Sequence, residues 1–432
     1  MKFASDRRRF LGHLGTGAVA MMGLPMLGCE EEESGRYTEA DAARLKEQMR
    51  REKELSGTSR FGKHVYPGYR GLAELPYFEI DQNERLRCVV ENMPPAIDFH
   101  THLGIAVLLA PPIDLLARTD RVRHFLDCDG TTPGCPLDLD VYINANFREE
   151  DLASLDWETV GQGIWGSASA QTHTIPNLLD EMDQTGIEKA VVLPIALGLP
   201  FRDEMADQWT QAIEKSGSSE RLIPGASVHP TDPNALAELR RQAGLGARVV
   251  KLHPAVQRFY PDDPQADPIY EECERLGLPV FFHGGRAGIE PEYTHRFTLI
   301  KNYEGAVGQH PEVDFVLGHA GARDVEDAIP FARRHPNVFL DIHGQGIRQI
   351  DELIDQVGAD RLVFGSDWPF YHPVATLAKV LIVTEGRPEI RDAILSNTAR
   401  KLLAKTEPVA QVTPRDPRAK NPILEWRPPQ PA

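Results

Sequence analysis

The stretch AIDFHTHLG, residues 96–104, ends an apolar run with two histidines separated by one residue. Side chains at positions i and i+2 of a β-strand point to the same face. If this run is a strand, His100 and His102 present their imidazoles side by side. A buried strand normally carries Val or Ile at such positions, so the pair indicates a site rather than ordinary core.

Seven further apolar runs follow, with helix-like stretches between them. Continuous apolar runs that alternate with helices are typical of buried parallel strands in βα units. Eight such units predict an α/β fold, a (β/α)8 TIM barrel. An open doubly wound sheet is less favoured, because no glycine-rich phosphate motif follows the first run. The runs are AIDFH (96–100), KAVVLPI (189–195), IPGASVH (223–229), ARVVKLH (247–253), PVFFH (279–283), DFVLGH (314–319), VFLDIH (338–343) and RLVFGSD (361–367).

Most of these runs end in or beside a histidine. The carboxyl ends of all the strands of such a barrel meet at one face, where barrel enzymes carry their active sites. Neutral imidazoles and a carboxylate suit Zn²⁺, and a catalytic site leaves one position open for water. We therefore predict one divalent metal ion, with Zn²⁺ as the expected element, held by His100, His102, His283 and Asp367. Three more histidines are candidates for binding substrate or supporting the ligands: His229, His253 and His343.

The chain has 432 residues and a formal net charge of −17. This length fits one barrel of roughly 250 residues with extensions. The acidic balance argues against a nucleic-acid partner, which would need a basic patch. We expect a small-molecule substrate, and self-association into a homodimer is compatible with the sequence.

The sequence pattern of residues 1–28 predicts an export signal. Three arginines at 7–9 precede an apolar stretch at 10–27 that glycine and proline interrupt. RRRFL resembles a twin-arginine signal, and MLGC resembles a lipobox that ends at Cys29. A short transmembrane anchor is the alternative, although the stretch is shorter than the ~20 residues that a span needs. We expect an exported protein, periplasmic or at the cell surface, whose membrane contact is a lipid at Cys29.

The predicted domains are residues 29–95, comprising an acidic spacer, a polar helix and a loop-rich arm, then the barrel at 96–405, and a proline-rich tail at 406–432. An insertion at 104–174 follows the first run and is far longer than the ~2–6 residues of an ordinary βα loop. We expect it to be a lid or a specificity segment over the active face. An interface or surface decoration is the alternative.

Two cysteines of this insertion, Cys128 and Cys135, flank a short turn-rich loop. Export would expose them to an oxidising compartment, so we predict a disulfide between them. Two free thiols are the alternative.

Several motifs together resemble the amidohydrolase superfamily, specifically the amidohydrolase-related group that includes carboxymuconate-semialdehyde and resorcylate-type decarboxylases and several lactonases. The motifs are DFHTHLG, VVKLHP, FFHGG, LGHAG, GSDWP and the closing NTARKLL. The resemblance covers most of the chain and implies a metal-dependent barrel enzyme. It implies the same four metal ligands as above. It also places His319 beside the metal, to polarise or protonate substrate or to hold a second ion.

Lys251, in the fourth run, matches a lysine that is carboxylated and bridges two metals in binuclear relatives. Many one-metal members also carry KLH at this position. We therefore predict one ion and an uncarboxylated Lys251 that pairs with a substrate carboxylate or a nearby acid. A second ion would require the carbamate.

The ligand set predicts a metal-dependent hydrolase of an ester, lactone or amide in a small, carboxylate-bearing substrate. The metal would activate water, Asp367 would accept its proton, and His319 would stabilise the oxyanion or protonate the leaving group. A metal-dependent decarboxylase of the same superfamily is the alternative. A non-catalytic metal-binding lipoprotein is a third hypothesis, disfavoured because no ligand residue is missing.

Overall fold

The computed structural model describes residues 35–106, 110–129, 135–148, 166–198 and 204–405. The predicted export signal, the lipid site at Cys29 and the tail at 406–432 lie outside the described residues, so these remain predictions. The chain divides into two compact units, residues 1–44 and 45–432.

In the first unit, the described residues contain the start of helix α1, which runs from Glu39 to Glu54. Thr38 precedes the helix, and its backbone N–H donates to Asp41 Oδ2 at 2.8 Å. A carboxylate in the first turn satisfies a free N–H and complements the positive end of the helix dipole. This helix lies within residues 29–95, where the sequence predicts a polar helix.

In the second unit, eight parallel strands form a barrel. They form two hydrogen-bonded sheets, one of three strands and one of five. Bridges between Ala226 and Val250 and between Thr101 and Trp368 join the two sheets at both seams, which closes the barrel. Each strand falls within or overlaps one of the eight predicted runs, and the predicted TIM barrel is confirmed. The strands are β1 (Ala96–Thr101), β2 (Ile187–Val192), β3 (Leu222–Pro224), β4 (Val250–Leu252), β5 (Val280–Phe282), β6 (Phe315–Leu317), β7 (Val338–Asp341) and β8 (Leu362–Val363).

Helices follow the strands along the chain. Two of them end at a glycine in the left-handed conformation, Gly186 (φ 72°) and Gly277 (φ 64°), where glycine carries no Cβ penalty. The helices are α2 (Ile175–Thr185), α3 (Met205–Lys215), α4 (Ala235–Gly244), α5 (Pro254–Gln257), α6 (Asp267–Leu276), α7 (Glu304–Gln309), α8 (Val325–Arg334), α9 (Ile347–Gln356), α10 (Val374–Val383), α11 (Pro388–Asp392) and α12 (Thr398–Leu403).

The barrel interior is filled by apolar side chains. A buried cluster draws residues from six of the eight strands, which places it inside the barrel. Ala399 and Leu402 of α12 belong to the same cluster, which places the last helix against this interior layer. The strand residues of the cluster are Ile97, Phe99, Val191, Phe281, Val316, Phe339 and Val363.

Two pairs of short antiparallel strands lie outside the barrel ring. Residues Val65–Pro67 pair with Pro136–Asp138 of the insertion, and Phe78–Ile80 pair with Leu86–Cys88. The structure joins Cys128 and Cys135 in a disulfide, the pairing predicted from the sequence. Within the described ranges, every helix is too short or too polar to cross a membrane.

Candidate metal centre

Three predicted ligands converge at the carboxyl end of the barrel. His100 Nε2 lies 3.3 Å from His102 Nε2, and Asp367 Oδ1 lies 3.3 Å from each of these nitrogens. All three side chains are buried. Ligand atoms about 2.0–2.1 Å from a tetrahedral zinc ion stand about 3.3–3.4 Å apart. The triangle therefore fits a small divalent cation with a further coordination position left for water or substrate.

The outer nitrogens of the two imidazoles already have partners. His100 Nδ1 lies 2.8 Å from Asp341 Oδ2, and His102 Nδ1 lies 2.6 Å from the carbonyl oxygen of Leu193. Both partners are acceptors, so each ring carries its proton on Nδ1 and turns the Nε2 lone pair toward the triangle. Supporting bonds of this kind fix the tautomer and orientation of metal-binding histidines. Burial, followed by the charge of Lys251, lowers the pKa of His100 well below its usual value, which keeps the ring neutral.

Asp98 ties the first and last strands together beneath this triangle. Its Oδ1 accepts hydrogen bonds from the backbone N–H groups of His100, at 3.1 Å, and Ser366, at 3.0 Å. The backbone N–H of Asp367 in turn donates to the His100 carbonyl at 2.7 Å. Asp367 adopts φ 57°, a left-handed conformation that aspartate tolerates better than most residues. These bonds hold the ligands of β1 and of the segment after β8 at a fixed separation.

His283, the fourth predicted ligand, departs from the expected geometry. Within the described residues, three groups have ligand atoms within 4.8 Å of one another, and His283 belongs to none of them. Its Nδ1 instead lies 3.1 Å from His319 Nε2, and its ring stacks on that of His253 with centroids 4.0 Å apart. These two contacts turn the ring toward β4 and β6. A metal-ligand role for His283 therefore stays a prediction. The groups are His100, His102 and Asp367; His100, His319 and Asp341; and His319, His343 and Asp367.

Three buried ring nitrogens of the cluster make no hydrogen bond within the described residues: Nε2 of His283, Nδ1 of His319 and Nε2 of His343. Burial lowers the pKa of His283 and of His343 to about 4. The rings are therefore neutral at pH 7, and unpartnered buried polar atoms are costly unless a ligand satisfies them. His343 Nε2 faces Asp367 Oδ2 at 3.7 Å.

His229 belongs to none of the three groups, and its candidacy for binding substrate or supporting the ligands stays a prediction. Its Nε2 bonds to the carbonyl of Gln257 at 3.0 Å, and its Nδ1 lies 2.8 Å from the hydroxyl of Thr231. The ring thus fastens the loop after β3 to α5. The third run continues beyond β3, which ends at Pro224, so His229 lies in the loop after the strand and not at the strand end.

Lys251 is buried beside the triangle. Its Nζ lies 3.4 Å from His100 Nε2 and 4.4 Å above the centre of the Phe281 ring. Burial lowers its pKa to about 8, against the opposing charges of Asp367 and Asp341. The predicted pairing of Lys251 with an acid or with substrate stays a prediction.

The insertion contributes an aromatic surface next to the triangle. Phe125 stacks on Phe370 with ring centroids 4.5 Å apart and an interplanar angle of 18°. Phe370 also meets the His102 ring edge to face at 6.0 Å. Both phenylalanines are half-buried, so part of their surface remains exposed. An aromatic wall therefore borders one predicted metal ligand, and one of its two rings comes from the inserted segment.

A family model described as Amidohydrolase matches residues 97–405. The chain belongs to this amidohydrolase family. Membership makes it an enzyme of a metal-dependent superfamily, in agreement with the resemblance drawn from the motifs. The triangle of His100, His102 and Asp367 is a position where the protein could bind the metal.

Among curated relatives, the γ-resorcylate decarboxylase of Rhodococcus jostii (strain RHA1) is 24% identical over 48% of this chain and 80% of its own length. The γ-resorcylate decarboxylase of Rhizobium sp. (strain MTP-10005) is 25% identical over 44% of this chain and 75% of its own. An uncharacterised TIM-barrel protein of Bordetella bronchiseptica shares the fold, with TM-score 0.50 and 22% identity over 72% of this chain and 98% of its own. These proteins are similar to this amidohydrolase at low identity.

Sequence reasoning missed several residues of this amidohydrolase site. Asp341, which supports His100, stands two residues before His343 in the seventh run, so the two-residue strand period could have found it. Phe370 follows Asp367 by three residues, but its pairing with Phe125 depends on how the insertion folds back. A local sequence pattern carries no signal for that contact.

Proposed function

We propose that this amidohydrolase is a metal-dependent decarboxylase of a hydroxylated aromatic carboxylic acid. The two curated relatives are both decarboxylases of γ-resorcylate, a name that denotes 2,6-dihydroxybenzoate. The comparisons thus favour the alternative hypothesis over the hydrolase that was expected first. The observation that carries the proposal is the buried triangle of His100, His102 and Asp367 beside the aromatic pair of Phe125 and Phe370.

This arrangement suits an aromatic acid. The exposed part of the Phe370–Phe125 pair offers a ring-stacking surface, and aromatic side chains prefer offset or edge contacts with other rings. Among the described residues, no carboxylate lies within ion-pair distance of Lys251, whose Nζ contacts His100 Nε2 at 3.4 Å, and we assign its ammonium to a substrate carboxylate. A buried cation gains most from a partner that is also desolvated and hydrogen-bonded.

Decarboxylation of such an acid needs a proton at the ring carbon that bears the carboxylate. The proton adds to this carbon, the C–C bond to the carboxylate breaks, its electron pair restores the aromatic ring, and CO₂ leaves. A divalent ion bound by His100, His102 and Asp367 would supply Lewis-acid polarisation of substrate oxygens. We assign delivery of the proton to Asp367, which lies in the triangle at the substrate position, or to His319, whose Nδ1 makes no hydrogen bond among the described residues.

The test is turnover by protein loaded with Zn²⁺, Mn²⁺ or Co²⁺. The substrate panel comprises hydroxybenzoic acids, including γ-resorcylate, together with lactones and amides. We expect CO₂ and the corresponding phenol in equal amounts from at least one hydroxybenzoic acid. Asp367→Asn should abolish this activity, whereas Asp355→Asn, an exposed change on α9, should retain it. Cleavage of a lactone or amide with no CO₂ from any aromatic acid would contradict the proposal.

We also propose that the enzyme works outside the cytoplasm. The basic and apolar pattern of residues 1–28 and the lipobox-like MLGC support this. The disulfide between Cys128 and Cys135 is consistent with it, since disulfides persist in oxidising compartments.

A further inference from the structure

The turn that carries His319 has an unusual backbone. His319 (φ 57°, ψ 18°), Ala320 (φ 48°, ψ 35°) and Ala322 (φ 50°) all have positive φ, and so does Gly321. Positive φ is unfavourable for residues with a Cβ atom, and such residues persist only where their surroundings hold them. The turn is fully buried, so solvent does not hold it in place. Some nearby group must therefore stabilise this conformation.

The turn is spanned by a backbone hydrogen bond from the Ala322 N–H to the His319 carbonyl at 2.7 Å and by the side chain of Gln345. Its Nε2 donates to the carbonyl of His319 at 2.6 Å and to the carbonyl of Ala322 at 2.8 Å. Both partners are acceptors, so only the amide NH₂ can face them, which fixes the orientation of the carboxamide. Gln345 is buried, so water cannot replace these bonds without a rearrangement.

The backbone of Gln345 is itself held in place by a hydrogen bond from α10. The ammonium of Lys379, on α10, donates to the Gln345 backbone carbonyl at 2.8 Å, and Lys379 is buried as well. On the other side of the turn, the His319 N–H donates to Asp341 Oδ2 at 3.1 Å. The His319 backbone is thus clamped between a carboxylate that also supports His100 and a carboxamide anchored by α10.

We propose that Gln345 is a positioning residue, whose carboxamide holds the His319 turn in its left-handed conformation and so aims the His319 imidazole into the site. The ring then lies with Nε2 3.1 Å from His283 Nδ1 and with Nδ1 unpartnered among the described residues. Loss of the clamp would let the turn relax and rotate the ring away. The catalytic consequence rests on the role proposed above for His319, but the conformational claim does not.

The first test is hydrogen exchange, which needs no substrate. Gln345→Met keeps the length of the side chain and removes both donors. We expect faster exchange of the amides of His319 and Ala322, measured by mass spectrometry on peptides covering 315–325. Gln356→Met is the matched control, because Gln356 lies exposed at the end of α9 and bonds only to Glu352 among the described residues. If Gln345→Met does not fold, Gln345→Asn replaces it, since its shorter side chain cannot reach both carbonyls.

The second test is a rescue. With the clamp gone, Ala322→Gly removes the Cβ that opposes its positive φ and so makes the native turn easier to adopt. We expect Gln345→Met to lower kcat about tenfold to a hundredfold, with a smaller change in KM, and the double variant to recover part of that loss. A purely structural role for Gln345 would predict no such recovery.

Unchanged exchange in Gln345→Met, or the same change in Gln356→Met, would overturn the inference. So would a kcat loss that Ala322→Gly leaves unaltered. If the wild type decarboxylates nothing while exchange changes as expected, the proposed function fails and the positioning role stands. The two claims are therefore tested separately.

Discussion

Replacement of Asp341 by Asn is the sharpest structural test of the metal centre. The two carboxylate oxygens of Asp341 accept three hydrogen bonds, from His100 Nδ1 and the backbone N–H groups of His319 and His343. Asn keeps the shape but has only one acceptor oxygen, and its NH₂ must face a donor. With the NH₂ at the Oδ1 position, the His343 N–H loses its acceptor. With the NH₂ at the Oδ2 position, the His319 N–H loses its acceptor and His100 must move its proton to Nε2, the atom that faces the metal position.

The substitution has two separate costs, one to the stability of the folded protein and one to its affinity for the metal. A buried donor left unpartnered costs about 1–3 kcal/mol. Loss of a carboxylate that supports a metal-bound histidine lowers metal affinity about 10- to 100-fold, which is about 1.4–2.7 kcal/mol. We therefore expect Asp341→Asn to bind Zn²⁺ about 10- to 100-fold more weakly than the wild type.

The assay is a titration of metal-free protein with Zn²⁺ in competition with a chromophoric chelator. Asp355→Asn, on the exposed face of α9, is the matched control and should bind Zn²⁺ as the wild type does. An unchanged dissociation constant in Asp341→Asn would show that Asp341 does not support metal binding, and an equal loss in the control would show that the effect is not local.

Three further outcomes are expected. Burial opposes ionisation of Glu181, but nearby histidine charges and hydrogen bonds lower its pKa from 4.5 to about 2. The stability that the ionised Glu181 contributes to the fold is therefore complete above pH 4.5 and is lost as pH falls toward 2. Glu181→Gln should thus destabilise the protein by up to about 3 kcal/mol at pH 7, and thermal melts should show the difference narrowing below pH 4.5; a constant difference would contradict this. Lys251→Met should keep about one metal ion per chain while lowering kcat, because the Lys251 ammonium binds the substrate and not the metal. Elemental analysis checks this: two ions in the wild type that fall to one in the variant would indicate a lysine carbamate instead. Cys29→Ser should move the protein from the membrane fraction to the soluble periplasm, and a variant that stays membrane-bound would exclude the lipid anchor.

The barrel could be predicted because its signal is local and repeated. Each buried strand lies in or overlaps a short apolar run, and polar residues follow where the chain reaches the active face. That periodicity also brought His100, His102 and Asp367 to one place without any knowledge of their distances. Asp367 required the ring to close, which the bridge between Thr101 and Trp368 provides.

The remainder of the site depends on contacts between distant segments. The position of a residue at a strand end does not determine the direction of its side chain, which is why His229 reaches Gln257 and His283 turns toward His319. The clamp by Gln345 depends on backbone carbonyls that become available only when a turn adopts positive φ. Such a turn is normally signalled by glycine, and here alanine occupies two of its positions, so the sequence carries no pattern that reveals it.

The fate of the carboxylate carbon distinguishes decarboxylation from hydrolysis. Metal-loaded enzyme would be incubated in D₂O with γ-resorcylate, or with the best aromatic acid of the panel, carrying ¹³C in its carboxylate. Mass spectrometry should find ¹³CO₂ together with a phenol that bears one deuterium at the vacated ring carbon. A product that keeps the ¹³C label, or cleavage seen only with esters, lactones or amides and with oxygen taken from water, would mean that the enzyme is a hydrolase and not a decarboxylase.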